Sequence, residues 1–319
     1  MGRVLVTRRL PDGGSDPLAA GGHEIIGPNG DDAPYSPEVL RARARDCDAI
    51  VSLLTDKIDA DVLAAGADGG RLRVVANVAV GYDNIDVRAA AAHGIVVCNT
   101  PGVLDDTTAD TAFLLILAAS RLASTAEADL RSGRWQGWGI TQYLGLDVHG
   151  ATLGIVGYGR IGRAVARRAK GFGMHVLHHA RTPTNETGYV ADLDELLATA
   201  DIVSLHTPGG AATEHLIDAR RLALMKPTAV LVNTARGTVV DELALADALH
   251  NDRLFAAGID VYEREPLIEP RLLSAPRTVL LPHIGSGSQA TRTRMATMAT
   301  SAVVTVLAGG TPPNVVTPT

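Results

Sequence analysis

The sequence predicts an α/β protein with parallel sheets, and three observations lead to this prediction. Short apolar, β-branched runs alternate with segments of helical periodicity along most of the chain. The segment GYGRIG, residues 157–162, lies between one such run and a helical segment, as in a doubly wound nucleotide-binding sheet. The chain has 319 residues, more than one ordinary domain, so two domains are expected.

Composition and charge narrow the possible classes of function. The net charge is −6 and no basic block stands out, which argues against a nucleic-acid partner. The longest apolar run, residues 112–119, is far shorter than the ~20 residues of a membrane helix, and the N-terminus carries no secretory signal. Cys47 and Cys98 lack metal-ligand spacing. We therefore expect a cytoplasmic protein with no membrane partner, no metal site and two buried, reduced cysteines.

In the first hundred residues, strand-like runs alternate with helical segments. Ser36 is expected to cap the first helix, with Pro37 at its first helical position. The pattern breaks at NTPG, residues 99–102. The predicted strands cover residues 4–7, 49–54, 72–80 and 94–98, and the predicted helices cover residues 36–45 and 59–65.

The rest of the chain continues the alternation after one long helix and one polar segment. Residues 105–108 are expected to cap a helix, 109–121, that is apolar on nearly all sides and therefore buried. Residues 124–149 are polar and loop-like, and their two tryptophans, Trp135 and Trp138, indicate either a local mini-core or an oligomer interface. Beyond them we predict strands at 152–156, 174–180, 202–205, 229–233, 256–260 and 278–281, and helices at 193–198, 218–225, 241–250 and 288–308.

The glycine turn at 157–162 predicts a dinucleotide site. Gly157 permits a tight turn, Gly159 lets a pyrophosphate approach the backbone, and Gly162 lets the helix pack close to its strand. The helix N-terminus then offers free N–H groups and a partial positive charge to the phosphates. The motif alone is weak in a chain with 33 glycines, but the strand before it and the helix after it support the prediction.

Six segments, in order, resemble the D-isomer-specific 2-hydroxyacid dehydrogenase family, and most closely its glyoxylate/hydroxypyruvate reductase branch. They cover nearly the whole chain, and chance does not produce six such segments in the family's order. The segments are NVAVGYDNID (77–86), GIVVCNTPGVLDDTTAD (94–110), LGIVGYGRIG (153–162), VNTARGTVVDELAL (232–245), GIDVYEREP (258–266) and LPHIGSGS (281–288).

The resemblance implies an architecture that the linear pattern does not show. It implies two Rossmann-like domains: a discontinuous, flavodoxin-like substrate domain, 1–100 plus 285–319, and an inserted doubly wound nucleotide-binding domain, 101–284. The chemistry would take place in the cleft between them. It also implies a homodimer in which residues 121–149 form the dimerisation segment, with Trp138 near the partner's active site.

Reduction of a 2-keto acid needs a proton donor and a cation that holds the substrate's charge. Arg236 follows a strand end, and its planar guanidinium suits a carboxylate beside a keto oxygen. His283 is the natural general acid near neutral pH, and Glu265 would hold its other ring nitrogen and favour the protonated form. Outside the family segments each of these residue types is more often structural, and the chain has ten histidines.

The resemblance also implies the remaining contacts. The backbone N–H groups of Val80 and Gly81 would bind the substrate carboxylate, with Leu54 at the substrate's edge and Ser286 near it. Besides the three glycines, Arg236 and His283, the implied cofactor contacts are Thr108, Tyr158, Arg160, Ile161, His206, Thr207, Pro208, Thr234, Ala235, Asp260 and Gly285.

The end of the second strand of the nucleotide domain indicates NADPH as the preferred cofactor. NAD-specific members carry Asp or Glu there, about 20 residues beyond the glycine turn, to accept from the ribose 2′-OH. Here the position is Ala180, followed by Arg181 and Thr182, so repulsion of a 2′-phosphate is absent and a guanidinium is at hand to pair with it. NAD stays possible.

Several functions remain open on the sequence alone. The main hypothesis is an NADPH-preferring reductase of small 2-keto acids such as glyoxylate or hydroxypyruvate. A 2-ketogluconate reductase or another 2-hydroxyacid dehydrogenase would use the same scaffold. From a different class, dinucleotide-sensing co-repressor-like proteins keep the same three residues, although they usually carry longer disordered tails.

Overall fold

The computed structural model describes residues 1–28 and 32–318. The chain divides into two compact units, the first formed by Met1–Leu104 with Gly287–Thr319 and the second by Asp105–Ser286. The elements up to the end of the first stretch are β1 (Arg3–Val6), α1 (Asp16–Ala20), β2 (Glu24–Ile26), α2 (Pro37–Arg45), β3 (Ala49–Ser52), α3 (Ala60–Asp68), β4 (Val74–Asn77), α4 (Val87–Ala92) and β5 (Val96–Cys98).

The remaining elements run from the long helix of the second unit to the C-terminal helix of the first. Short 3₁₀ turns at Lys170–Phe172 and Gly237–Val239 stand between them. The elements are α5 (Asp105–Ser120), α6 (Ala123–Arg131), β6 (Thr152–Val156), α7 (Arg160–Ala169), β7 (His175–His179), α8 (Leu193–Thr199), β8 (Ile202–Leu205), α9 (Ala219–Leu224), β9 (Val230–Asn233), α10 (Glu242–His250), β10 (Ala256–Ile259), α11 (Pro270–Leu273), β11 (Thr278–Leu280) and α12 (Gln289–Leu307).

The first unit is built on a five-stranded parallel sheet with strand order β2-β1-β3-β4-β5. This order is that of flavodoxin-like sheets. All four residues of β3 and of β4 are buried, as expected for parallel strands covered on both faces. The helix α12 is one of the elements that cover the sheet, and its Ala299 and Val303 pack with Val4 and Val51. The predicted α/β fold is confirmed in this unit.

The second unit is built on a six-stranded parallel sheet with strand order β11-β10-β9-β8-β6-β7. The chain leaves β6 toward β7 on one side and then returns to β8 on the other. Ligands of such doubly wound sheets bind outside the carboxyl ends of the strands at this reversal point. The predicted glycine turn begins there, at Gly157.

Local capping signals explain where several helices begin. The Ser36 side chain accepts from the Val39 N–H at the start of α2, as predicted, and the Ser288 side chain accepts from the Thr291 N–H at the start of α12. Aspartates do the same elsewhere. The capping aspartates are Asp59 for α3, Asp86 for α4, Asp192 for α8, Asp218 for α9 and Asp241 for α10.

The long apolar helix α5 is mostly but not wholly buried. It begins at Asp105, so the residues predicted to cap it form its first turn. Acidic side chains are favourable there because the helix N-terminus carries partial positive charge. Leu115 and Ile116 are buried, but Leu114 and Leu117 are 51% and 36% exposed, so the prediction of burial on all sides is wrong at these two positions.

The segment 124–149 differs from the loop predicted for it. Its beginning is helical, because α6 covers Ala123–Arg131, and none of the residues of α6 is buried. The mini-core alternative is wrong, since Trp135 is 46% and Trp138 is 80% exposed. The predicted elements also lack α1, β2, α4 and α11, which are short and have no strong apolar period.

Both cysteines are buried and free, as predicted. Burial raises the pKa of the Cys47 thiol to about 12 and that of Cys98 to about 11, so both stay protonated. No single helix in the described ranges has the length and apolarity to cross a bilayer, and α5 with α6 reaches that threshold only as a pair bent by 67°.

Candidate active site

Most of the predicted cofactor and catalytic residues of the second unit follow the strands of its parallel sheet. The carboxyl ends of parallel strands lie at one edge, so these residues are brought to the same side of the sheet. The first predicted site residue after each strand is Gly157 after β6, Ala180 after β7, His206 after β8, Thr234 after β9, Asp260 after β10 and His283 after β11.

The three glycines of the turn have separate structural roles. Gly157 has φ +95°, and a Cβ there would lie 2.6 Å from the carbonyl carbon of His206. A Cβ on Gly162 would lie 2.3 Å from the Gly157 carbonyl oxygen, so α7 packs directly on the turn. A Cβ on Gly159, the N-cap of α7, would meet nothing within 4 Å. The open space at a helix N-terminus fits a pyrophosphate.

Three buried polar side-chain atoms near this edge have no hydrogen-bond partner among the described residues. They are His206 Nδ1, Thr207 Oγ1 and Thr234 Oγ1. Burial lowers the pKa of His206 to about 3, so its ring is neutral, and its Nε2 lies 2.9 Å from Ser204 Oγ. Buried polar atoms are normally hydrogen-bonded. All three belong to predicted cofactor contacts, and their unpartnered atoms fit a polar ligand such as a dinucleotide.

The end of β7 carries no carboxylate at the position that selects for NAD. Ala180 is half-buried, whereas Arg181 and Thr182 are exposed, and Arg181 forms no ion pair or hydrogen bond within residues 1–28 and 32–318. One residue of β7 also contacts the glycine turn. The His178 ring stacks on Tyr158 with centroids 3.7 Å apart, so the Tyr158 ring packs against protein beside the glycine turn.

The backbone around Arg236 is braced by its neighbours. Asn233 Nδ2 donates to the Arg236 carbonyl at 2.8 Å, and Asn233 Oδ1 accepts from the Ala235 N–H at 3.0 Å. Arg236 Nη1 donates to the Ala235 carbonyl at 2.8 Å, and a Cβ on Gly209 would lie 2.9 Å from Arg236 Cγ. The guanidinium is thus held by short local contacts at the end of β9.

The loop that carries Glu265 is fixed to the start of α10 by a contact that the sequence does not signal. The Glu242 carboxylate accepts from the N–H groups of Glu263, at 2.6 Å, and Glu269, at 3.1 Å. In return, Glu263 Oε1 accepts from the Glu242 N–H at 2.8 Å. A Cβ on Gly237 would lie 1.8 Å from the Tyr262 carbonyl carbon. Glycine is therefore required after Arg236, because this loop packs against it.

Glu265 and His283 form a hydrogen-bonded pair. His283 Nδ1 lies 2.8 Å from Glu265 Oε2, and Glu265 Oε1 accepts from the Tyr262 N–H at 3.0 Å. Burial alone raises the pKa of Glu265, but the hydrogen bond and charge of His283 outweigh it, so the net pKa lies below the ordinary value. Glu265 is therefore ionised at neutral pH. The His283 side chain is 28% exposed.

The turn that presents His283 is held by Asp260. His283 has a left-handed backbone, φ +53°, which is uncommon for a residue other than glycine and clusters at functional sites. Its N–H donates to the Asp260 carbonyl at 2.8 Å. The buried Asp260 carboxylate accepts from the N–H groups of Ile284, at 2.7 Å, and Gly285, at 2.8 Å. Asp260 thus orients the histidine turn, in addition to its predicted cofactor contact.

The remaining predicted residues of this unit lie beside these features. Thr108 is buried in the first turns of α5, and its Cγ2 would lie 3.5 Å from a Cβ on Gly285. Ser286 follows Gly285 and is half-buried. Arg160 and Ile161 open α7, and Pro208 follows Thr207 beyond β8. Trp138 contacts neither Arg236 nor His283 through any hydrogen bond or ring contact within the described ranges.

In the first unit, the predicted substrate residues lie in the loops that follow β3 and β4. Leu54 comes two residues after β3, and Val80 and Gly81 come after β4. The predicted strand 72–80 is wrong at its end, because β4 ends at Asn77. Val80 and Gly81 therefore belong to a loop, where their N–H groups are not used in a strand ladder.

Comparison with known proteins places these features in a family. Residues 113–285 match the family model for the NAD binding domain of D-isomer specific 2-hydroxyacid dehydrogenases. A glyoxylate reductase of Korarchaeum cryptofilum is 47% identical over 322 residues, which cover 98% of this chain and 95% of that one.

Solved structures agree along the whole chain. A Thermus thermophilus protein has a TM-score of 0.92 and 44% identity, covering 99% of this chain and 100% of its own. An NADPH-dependent glyoxylate/hydroxypyruvate reductase of Sinorhizobium meliloti, in complex with NADP and malonate, has a TM-score of 0.85 and 36% identity, covering 98% and 96%. The chain therefore belongs to the D-isomer-specific 2-hydroxyacid dehydrogenase family and is an NAD(P)-dependent dehydrogenase acting on a small keto or hydroxy acid.

Proposed function

We propose that the protein reduces a small 2-keto acid, such as glyoxylate or hydroxypyruvate, to the D-2-hydroxy acid, with NADPH as the preferred hydride donor. The observation that carries this proposal is the 2.8 Å pair of His283 and Glu265 at the sheet edge that also presents Arg236. The pair supplies a proton donor, and Arg236 supplies a cation, at the edge where doubly wound sheets bind their ligands.

Each residue has a definite task in this reaction. Arg236 binds the substrate's carboxylate and polarises its keto oxygen through paired N–H donors. His283 gives its proton to the carbonyl oxygen as hydride arrives at the carbonyl carbon, which leaves a hydroxyl group. Glu265, ionised, stabilises the protonated imidazole and holds its orientation. The nicotinamide cofactor, when bound, supplies the hydride.

In the first unit, we propose that the N–H groups of Val80 and Gly81 bind the carboxylate, and that Leu54 limits the size of the substrate's side chain. Ser286, in the second unit, lies near the substrate in this proposal. These roles come from the family resemblance, and the position of Val80 and Gly81 in a loop beyond β4 supports them.

The cofactor preference rests on residues 180–182. Ala180 offers no carboxylate to a ribose 2′-OH, and the exposed Arg181 and Thr182 offer a cation and a hydroxyl to a 2′-phosphate. The glycine turn at Gly157, Gly159 and Gly162 holds the pyrophosphate in this proposal. The Sinorhizobium meliloti relative, crystallised with NADP, supports the same preference.

We propose that the protein is a homodimer with residues 121–149 as its interface. This segment exposes large apolar side chains that a monomer would leave in water, and such patches mark interaction sites. Trp138 would then be covered by the partner, near its active site. The cytoplasmic location stays a prediction. The exposed apolar residues of the segment are Leu130, Trp135, Trp138, Ile140 and Leu144.

A panel of 2-keto acids, each assayed with NADPH and with NADH, tests the proposed function. We expect the highest kcat/KM for glyoxylate or hydroxypyruvate with NADPH. A clear preference for 2-ketogluconate would move the substrate assignment to that alternative. Tight NADPH binding with no turnover of any keto acid would contradict the proposal and favour a dinucleotide sensor.

A further inference from the structure

We propose that Asn99 is a positioning residue that, with the Thr100 backbone, aims the peptide N–H groups of Val80 and Gly81 at the substrate carboxylate, and that Asn77 holds the next peptide of the same loop. This inference rests on the proposed function, which assigns the carboxylate to those two groups. It explains how a loop without regular secondary structure can hold them in one direction. Neither asparagine is among the site residues predicted from the sequence.

Three successive carbonyl groups of the loop accept hydrogen bonds from three different donors. The Thr100 N–H donates to the Ala79 carbonyl at 2.8 Å. Asn99 Nδ2 donates to the Val80 carbonyl at 2.8 Å, and Asn77 Nδ2 donates to the Gly81 carbonyl at 2.9 Å. Each of these three peptide planes is therefore held in one orientation by the hydrogen bond to its carbonyl oxygen.

Fixing the oxygen also fixes the hydrogen of the same peptide. In a planar trans peptide the N–H points opposite to the C=O, and the only cis bonds in the described ranges are Gly27-Pro28 and Glu265-Pro266. The Val80 N–H therefore points away from Thr100, and the Gly81 N–H points away from Asn99. Neither N–H donates to a described residue. Two adjacent N–H groups presented in this way form a concave anion site.

The donors are held in their turn by buried contacts. Asn77 is fully buried, and its Oδ1 accepts from Ser52 Oγ at 3.0 Å. The backbone of Asn99 pairs with Asn314, whose carbonyl accepts from the Asn99 N–H at 3.2 Å and whose Nδ2 donates to the Asn99 carbonyl at 2.5 Å. The buried Asn77 amide therefore has one orientation, because rotating it would leave polar groups unpaired, and Asn99 is anchored through both polar groups of its backbone.

The hydrogen bonds of Asn77 also lead to the loop that carries Leu54, the other predicted substrate residue of this unit. Asn77 Nδ2 also donates to Asn84 Oδ1 at 3.0 Å. Asn84 Nδ2 donates to the Leu53 carbonyl at 3.0 Å and to the Asp56 carbonyl at 2.9 Å, on either side of Leu54. Asn77 and Asn84 therefore join the peptide that follows the N–H pair to the loop that carries Leu54. Asn99 acts on the peptide of the Gly81 N–H and makes no hydrogen bond to the Leu54 loop, which makes it the better residue to test.

Oxalate is a suitable probe because it carries carboxylates and is not reduced by a hydride. Its Kd is measured by calorimetry on the full chain, with and without NADPH, for the wild type and for Asn99→Ala. Losing the donor frees the Val80–Gly81 peptide to rotate, and we expect the Kd for oxalate and the KM for glyoxylate to rise about tenfold. The kcat and the Kd for NADPH should change by less than about threefold, because neither depends on this loop.

A second Asn99 variant tests the same contact, and a core variant controls for a general loss of stability. Asn99→Asp keeps the size of the side chain but faces the Val80 carbonyl with an oxygen, so oxalate binding should weaken in this variant also. Ile50→Val, in the buried core of the first unit, is the matched control: it lowers stability slightly and should leave the Kd for oxalate unchanged.

The inference is overturned if both Asn99 variants fold and bind oxalate within twofold of the wild type, or if the wild type binds no oxalate. A wild-type protein that binds oxalate but reduces no keto acid would instead defeat the proposed function. In that case the Kd values of the Asn99 variants still decide whether the asparagine orients the anion site.

Discussion

His283 Nδ1 lies 2.8 Å from Glu265 Oε2, and this contact leaves the imidazole's Nε2 as the atom able to give a proton to a substrate. The two residues are 18 positions apart in the sequence and belong to different loops. Each loop is fixed separately, that of Glu265 by Glu242 and that of His283 by Asp260. The pair is therefore set in place by the fold before any substrate binds.

Glu265→Gln should change the pH dependence of the reaction. The hydrogen bond and charge of His283 outweigh burial and hold the pKa of Glu265 below its usual range, so the carboxylate is ionised near neutral pH and favours protonated His283. Removing this charge takes away the ionic partner of the protonated imidazole. The alkaline limb of kcat/KM should move down by about 1 pH unit. An unmoved limb would contradict the role of Glu265, and Glu195→Gln, an exposed glutamate on α8, is the control.

Arg181→Ala should weaken the use of NADPH selectively. A charge-assisted contact with a 2′-phosphate would be lost, so kcat/KM for NADPH should fall about tenfold or more, while that for NADH stays the same. Arg253→Ala is a matched control, because Arg253 is also exposed and in the same unit. Equal losses with both cofactors would show that Arg181 does not recognise the phosphate.

Alanine substitutions at two glycines of the turn should have different effects, one on stability and the other on cofactor binding. Gly162→Ala places a Cβ 2.3 Å from the Gly157 carbonyl oxygen, so the free energy of unfolding should fall by about 1–3 kcal/mol. Gly159→Ala meets no protein atom within 4 Å and should keep the wild-type Tm. Its Kd for NADPH should nevertheless rise about tenfold, because the methyl group occupies the space proposed for the pyrophosphate. Unchanged NADPH binding in Gly159→Ala would place the pyrophosphate elsewhere.

Trp138→Ala should weaken the proposed dimer. The side chain is 80% exposed in the single chain, and tryptophans at interface centres often contribute 2 kcal/mol or more, so the dimer dissociation constant should rise about thirtyfold. Sedimentation equilibrium measures it. Leu273→Ala, 57% exposed on α11, should leave dimerisation unchanged. A wild-type protein that sediments as a monomer at every concentration would refute the dimer itself.

The two sheets could be predicted because their strands are buried on both faces and read as continuous apolar runs, as in β3 and β4. The glycine turn could be predicted because its spacing has a steric cause at Gly157 and Gly162. Short elements such as β2, with two of its three residues exposed, carry no such pattern. The helix α6 has no buried residue at all, and its polar composition resembles a loop.

The supporting contacts of the site could not be found in the sequence, because they join residues that are distant along the chain. Asn314 meets Asn99 across 215 positions, and Glu242 meets Glu263 across 21. Nothing in the spacing of these residues signals the contact. His283 itself could be chosen among ten histidines only through the family segment around it, since His206 also lies at the same edge of the sheet.

The most direct test of the central claim is the configuration of the product of hydroxypyruvate reduction. The purified protein is incubated with hydroxypyruvate and NADPH, NADPH oxidation is followed, and the glycerate formed is separated on a chiral column. The account predicts stoichiometric oxidation of NADPH and formation of D-glycerate alone, with NADH giving the same product more slowly. Formation of L-glycerate, or NADPH binding with no glycerate formed, would contradict it.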